Sequence, residues 1–236
     1  MKILITGTSS GIGKATTEYL RERGHDVREI KGRSDCDVSD KTAVLEFKNK
    51  LTRENWLPDV IILNAGIFPD DITPAFNREA FDKTFAVNLG GAINCIEAFL
   101  PKMLMRGKLA PRSLGEVGGH FIGISSSAAF RPNIRSIAYP ASKAALGLVL
   151  RGFDMHYRKQ GVAFSTVYLG PTATEMWEGK KSLLVATPKR VAQTIERLIY
   201  TKKSVIFYPF LSSLLVRMLM LFPDRIYWAI RKYLVK

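Results

Sequence analysis

Short apolar, β-branched runs alternate with longer segments whose apolar residues recur at helical spacing, the pattern of a parallel sheet covered by helices. Strands are predicted at Lys2–Thr6, Asp26–Ile30, Asp59–Asn64, His120–Ser125, Phe164–Leu169 and Ser204–Tyr208. Helices are predicted at about Ile12–Glu22, Lys41–Thr52, Arg78–Met105, Ala138–Lys159 and Pro188–Tyr200. Val60-Ile61-Ile62-Leu63 is apolar throughout, as expected of a strand buried on both faces. The expected fold class is therefore α/β, a doubly wound parallel sheet with helices on both faces.

Two stretches break the alternation. Lys31–Val38 is too short to hold a crossover helix between the second strand and a third, since parallel neighbours need roughly a dozen residues or more. Either a third strand survives as a stub around Cys36-Asp37-Val38, or the connection is an irregular loop. Arg106–Gly119 reads as a long polar surface loop containing Pro111.

Composition narrows the function classes. At 236 residues, with 47 % hydrophobic and 24 % charged positions, the chain is ordinary globular material. Its formal charge of +14 is unevenly placed: Trp177–Lys236 holds 12 Lys/Arg against 3 Asp/Glu, and the preceding 176 residues hold 23 against 18. Cys36 and Cys95 are the only cysteines, which excludes a disulfide scaffold and points to a reducing, cytoplasmic compartment. His25, His120 and His156 stand singly, with no metal-ligand spacing, so no metal is expected. Met1-Lys2 runs straight into Ile3-Leu4-Ile5, without the charged and apolar regions of a signal peptide.

The chemistry begins after the first strand, at Thr6-Gly7-Thr8-Ser9-Ser10-Gly11-Ile12-Gly13, which opens a helix. Glycines here allow a tight turn and close backbone approach to a pyrophosphate, whose charge suits a helix N-terminus. Scattered glycines alone say little; the strand–turn–helix context gives the motif its weight. Tyr139 and Lys143 lie four apart at the start of a helix, so both project from one face. A phenol with a pKa near ~10 is a poor acid–base catalyst at neutral pH unless a cation favours its phenolate. Lys143 can supply that cation.

These motifs resemble the short-chain dehydrogenase/reductase family. TGxxxGxG is its glycine loop; Leu63-Asn64-Ala65-Gly66 resembles its NAG segment, taken to close a fourth strand; Ala86-Val87-Asn88-Leu89 resembles its VNL segment; Tyr139–Lys143 matches its YxxxK. Ile124-Ser125-Ser126-Ser127 resembles its ISS, with Ser126 thirteen residues before Tyr139. Leu169-Gly170-Pro171-Thr172-Ala173-Thr174, after what counts as a sixth strand, resembles the PGPVxT element, with Leu169 in place of its first proline. The resemblance covers Lys2 to about Tyr208.

It implies a Rossmann-like dinucleotide-binding catalytic domain over residues 1–208, and Asn88, Ser126, Tyr139 and Lys143 as the catalytic set. Ser126 would bind the substrate oxygen, Tyr139 would exchange its proton, and Asn88 would anchor a water relay beside Lys143. Hydride would pass between nicotinamide and a carbonyl or secondary alcohol. The implied cofactor contacts are Gly7, Ser9, Ser10, Gly11, Ile12, Gly13, Arg33, Asp37, Val38, Asn64, Ala65, Gly66, Tyr139, Lys143, Gly170, Pro171, Thr172 and Thr174. An acid at the end of the second strand would select NAD, whereas a cation would select NADP. Lys31-Gly32-Arg33 follows Ile30, so NADP is preferred over NAD, with Glu29 and Asp35 close enough to reverse that on a small register shift. Asp37-Val38 resembles the adenine-contacting pair.

Residues 209–236 form a basic amphipathic tail. Leu211, Leu214, Leu215, Met218, Leu219 and Phe222 make one helical stripe; Ile226, Ile230, Tyr233 and Leu234, beside Arg225, Arg231, Lys232 and Lys236, make a second. Such stripes suit an interfacial helix on anionic lipid, or packing on the chain's own domain or on a second subunit of a homo-oligomer. Peripheral membrane contact would favour a lipophilic substrate. The rival function is a non-catalytic dinucleotide-binding sensor or scaffold at a membrane. A nucleic-acid partner is not expected, because the cations accompany apolar stripes and not aromatics stacked along a groove.

Overall fold

In the computed structural model, residues 1–109, 118–133, 135–174 and 185–210 are described, together with Leu214, Met218 and Pro223. Six parallel strands form one sheet: β1 (Lys2–Thr6), β2 (Asp26–Ile30), β3 (Val60–Leu63), β4 (Gly119–Ser126), β5 (Val162–Leu169) and β6 (Val205–Tyr208). Their order is β2-β1-β3-β4-β5-β6. The connecting helices are α1 (Gly11–Glu22), α2 (Lys41–Arg53), α3 (Arg78–Phe85), α4 (Gly91–Leu109), α5 (Ala138–Tyr157) and α6 (Pro188–Thr201).

Alternate side chains of each strand enter opposite cores. Leu4, Ile61, Leu63, Phe121 and Phe164 pack among residues of α2, α4 and α5. Ile3, Ile5, Val60, Ile62, Ile122 and Val167 pack among residues of α1 and α6. Burial on both faces accounts for the near-continuous apolar strands.

Three expectations need correction. No strand lies between β2 and α2, so the NAG segment closes the third strand, and the loop containing Pro171 follows the fifth. Asp37 instead turns the chain by accepting from Ser39 N–H (3.0 Å) and Ser39 Oγ (2.6 Å). Val38 is buried, and its carbonyl accepts from Asn94 Nδ2 at 2.9 Å. Second, the helix predicted over Arg78–Met105 is interrupted by a π turn at Ala86–Gly90. Third, Arg106–Leu109 belongs to α4 and not to a loop; Arg106 donates to Gly118 O (2.6 Å) and Pro58 O (2.8 Å).

The strand order reverses around β1 and β3, because the chain runs outward from β1 to β2 and then returns to β3 on the other side. Open α/β sheets bind ligands in the crevice beyond the carboxyl ends of the strands at such a switch point. Most of the 209–236 tail lies outside the described residues; Leu214 and Met218 are exposed. Among the described residues, no helix is long and apolar enough to cross a membrane.

Candidate active site

A cleft of about 510 Å³ runs along the carboxyl ends of the strands, from Arg33 to Tyr139. Its floor is set by the loop after β1. Gly7 has φ +70°, and a Cβ there would stand 2.6 Å from Ala65 Cα. A Cβ on Gly13 would stand 2.1 Å from Gly7 O, so α1 can sit against the loop only without one. Asn64 Nδ2 donates to Thr6 O (3.1 Å) and Gly7 O (2.8 Å), tying the ends of β3 and β1 together. Ser10, at the entry to α1, makes no side-chain cap bond. The first N–H groups of that helix are thus not capped by Ser10 and are suited to an anion.

At one end of the cleft, Lys31, Gly32, Arg33, Asp37, Val38 and Lys83 form the wall. Arg33 Nε lies 3.1 Å from Asp37 Oδ2, and the Ser39 hydrogen bonds hold the Asp37 carboxyl below its ordinary pKa. The acids that could have reversed the cofactor preference are turned elsewhere: Glu29 pairs with Arg21 (3.4 Å) and Lys31 (3.7 Å), and Asp35 accepts from Lys31 N–H (2.9 Å).

At the other end stand Ser126, Tyr139 and Lys143. Burial pushes the Tyr139 phenol above its usual pKa, and a hydrogen bond with Ser126 pulls against that shift. Lys143 is 4 % exposed, and burial lowers its ammonium to about 8. Its Nζ donates to Ile124 O at 2.8 Å and lies 5.9 Å from the Tyr139 ring centre. Ser125 donates to Lys143 O at 2.8 Å and so is committed to holding α5. That leaves Ser126 as the serine beside Tyr139.

Asn88 is 1 % exposed and sits behind the cleft wall in the π turn. Its Oδ1 accepts from Ile67 N–H (2.7 Å), while Nδ2 donates to Ile67 O (3.0 Å) and Ser142 Oγ (3.1 Å). A Cβ on Gly66 would meet Lys143 Nζ at 3.2 Å and Asn88 Oδ1 at 3.3 Å, so these groups converge where the glycine leaves room.

Of the predicted site residues, all line the cleft except Asn88 and Pro171. Gly170 N–H donates to Tyr208 O (2.8 Å), and a parallel bridge pairs Thr172 with Ala186. Residues 175–184, which follow this loop, lie outside the described residues. Ile67 and Lys83 line the cleft without having been singled out from the sequence. Lys83 precedes Val87 by one helical turn, a spacing that could have flagged it. Among the described residues, no group of three or more His, Cys, Asp or Glu could hold a metal.

The model of the short chain dehydrogenase family matches residues 33–183. The chain belongs to that family. Among curated relatives, the probable oxidoreductase EphD of Mycobacterium tuberculosis is 32 % identical over 199 residues, 74 % of this chain. The chain corresponds to only 31 % of EphD's length. The 2,3-dihydro-2,3-dihydroxybenzoate dehydrogenase of Escherichia coli is 29 % identical over 184 residues, 74 % of this chain and 70 % of that one. Among solved structures, ElxO with NADP bound superposes with a TM-score of 0.72 at 21 % identity, covering 87 % of this chain and 96 % of that one. In this short-chain dehydrogenase chain the stretch between β2 and α2 is an irregular loop, one of the two alternatives left open by the sequence.

Proposed function

We propose that this chain is an NADP-preferring oxidoreductase that interconverts a carbonyl and a secondary alcohol, with Tyr139 as its acid/base. The carrying observation is that the Tyr139 phenol, its Ser126 partner and the buried Lys143 ammonium stand in one cleft with the glycine loop. The cleft fits a dinucleotide on two counts: the α1 N–H groups left uncapped by Ser10 would hold the pyrophosphate, and Arg33, with Lys31 and Lys83 near it, would hold a 2′-phosphate. When bound, the nicotinamide donates or accepts the hydride.

The chain's own residues do the rest. Ser126 Oγ donates to the substrate oxygen and stabilises the charge that develops there. Tyr139 gives its proton to that oxygen in reduction and takes it back in oxidation. Lys143 favours the phenolate left behind, because an adjacent cation lowers the cost of ionising a buried phenol. Asn88 fixes the loop around Ile67 and braces Ser142, so the lysine has a rigid surround. Ile67 and Leu169 line the cleft, and Phe68 packs edge-on to Tyr139 at 4.7 Å between ring centres, which supports a substrate with an apolar body.

The test is NADPH oxidation on a panel of ketones, aldehydes and quinones by the wild type and by Tyr139→Phe. The substitution should lower kcat by about 10²- to 10⁴-fold, the usual contribution of a positioned proton donor. Equal rates for the two proteins would reject the assignment.

A further inference from the structure

The helix that carries Tyr139 and Lys143 is not capped from its own entry residue: Ile137 offers no capping side chain. The caps come instead from Ser136 and from a carboxylate far away in sequence. Asp71, in the loop after β3, is fully buried. Its Oδ1 accepts from Ile137 N–H at 2.7 Å; its Oδ2 accepts from Ala138 N–H at 2.7 Å and from Ser136 Oγ at 3.2 Å. Ser136 Oγ in turn accepts from Tyr139 N–H at 3.1 Å. The N–H groups of residues 137 to 139 are thus all satisfied, the first two by Asp71 directly and the third by the serine that Asp71 holds. A buried carboxylate is costly unless its oxygens are bonded, and a helix N-terminus supplies both the donors and a favourable dipole.

The same loop is fixed to the active site at a second point. Four residues before Asp71, Ile67 is bonded through both backbone groups to Asn88 (2.7 and 3.0 Å). Asn88 donates to Ser142 Oγ (3.1 Å), and Ser142 Oγ donates to Tyr139 O (2.8 Å). Between these anchors Phe68 meets the Tyr139 ring edge-on. Loop and helix therefore form a closed circuit of hydrogen bonds around Tyr139, in which Asp71 is the link on the side away from Asn88.

We infer that Asp71 is a positioning residue of the active site, setting the first turn of α5 and with it the Tyr139 phenol against the wall formed by Ile67 and Phe68. The inference rests on the acid/base role proposed for Tyr139. Asp71 does not itself line the cofactor cleft, so its loss should act on the rate and not on cofactor binding.

The experiment compares wild type, Asp71→Ala, Asp71→Asn and a control, Thr187→Ala. Thr187 caps α6 by accepting from Arg190 N–H (3.4 Å) and lies outside the circuit. NADPH oxidation is followed with phenanthrenequinone and the carbonyl panel, NADPH affinity by fluorescence, and Tm by thermal melt. Asp71→Ala should lower kcat by about 10- to 100-fold, the scale of a small misplacement of a reacting group, with NADPH affinity within about twofold of wild type. Thr187→Ala should lose Tm as a cap deletion does while keeping kcat. Asp71→Asn keeps the side-chain size and one acceptor, so it should fall between wild type and Asp71→Ala, and it carries the test if the alanine variant does not fold. A kcat in the Asp71 variants that falls no further than in Thr187→Ala would overturn the inference alone. A wild type that turns over none of the carbonyls would remove the proposed function and this inference with it.

Discussion

The two ends of the cleft are built differently. At the end holding Tyr139, the side chains come from a strand end or a helix and are tied to neighbouring elements: Lys143 Nζ donates to Ile124 O, Ser125 ties β4 to α5, and Asn88 is bonded to Ile67 and Ser142. At the end holding Arg33 the wall is a loop, Lys31–Asp40, the irregular connection that was one of the two alternatives left open by the sequence. Its side chains are exposed: Arg33 to 61 % and Lys31 to 61 %. Cys36 and Val38 turn inward to the core, Val38 held by Asn94 and by the space left at Gly91, where a Cβ would stand 2.7 Å from Val38 Cγ2. A proton donor must be held to within a fraction of an ångström, whereas attraction of a phosphate to exposed cations tolerates looser geometry. The rigid end suits chemistry and the loose end suits selection between related cofactors.

If that division holds, substitutions at the two ends should move different quantities. The larger effect belongs to the rigid end. Lys143→Met removes the buried cation beside Tyr139 and should lower kcat for carbonyl reduction by about 100-fold or more, measured by NADPH oxidation at saturating carbonyl. A pH profile sharpens this. Burial brings Lys143 to about 8 and keeps Tyr139 protonated to above its usual range. Lys143 is therefore charged below about pH 8 and loses its proton above it. In the reductive direction kcat/KM, which reports the free enzyme, should fall on the alkaline side by up to about tenfold per pH unit, and the Lys143→Met profile should lack that limb. An alkaline limb unchanged in the variant would assign it to another group.

The smallest expected effect is at the loose end. Arg33→Ala should weaken NADPH binding by about tenfold, as befits an exposed charge-assisted contact, while leaving NADH binding and kcat nearly unchanged. The ratio of the two affinities, read by fluorescence titration, is the relevant number. A parallel loss for both cofactors would show that Arg33 braces the loop through Asp37 and does not read the phosphate.

The same contrast explains what the sequence could reveal. β1 and β2 have the bounds predicted from apolar patterning, and the glycine loop, Asn64-Ala65-Gly66, Ser126, Tyr139 and Lys143 meet in one cleft as their motifs imply. Those features are local: a periodicity, or a spacing within one element. What was not legible depends on contacts between distant segments. Whether Cys36-Asp37-Val38 would pair as a strand could not be decided, since the bond that holds Val38 comes from Asn94 on α4. That Ser125 is spent on the carbonyl of Lys143 shows only in the folded chain. The π turn at Ala86–Gly90 is flanked by helical backbone on both sides and so hides inside a predicted continuous helix. Asp71 carries no motif at all; its meaning is the unfilled N–H groups of a helix that begins 67 residues later.

In the proposed function Tyr139 carries the proton transfer, while most of the cofactor contacts lie elsewhere in the cleft. The most direct test is a single-turnover measurement: NADPH prebound to Tyr139→Phe, mixed with a carbonyl that the wild type reduces. NADPH should bind with wild-type affinity, and its oxidation should be slower by about 10²- to 10⁴-fold. Oxidation at the wild-type rate, or a loss accounted for wholly by weaker NADPH binding, would contradict the account.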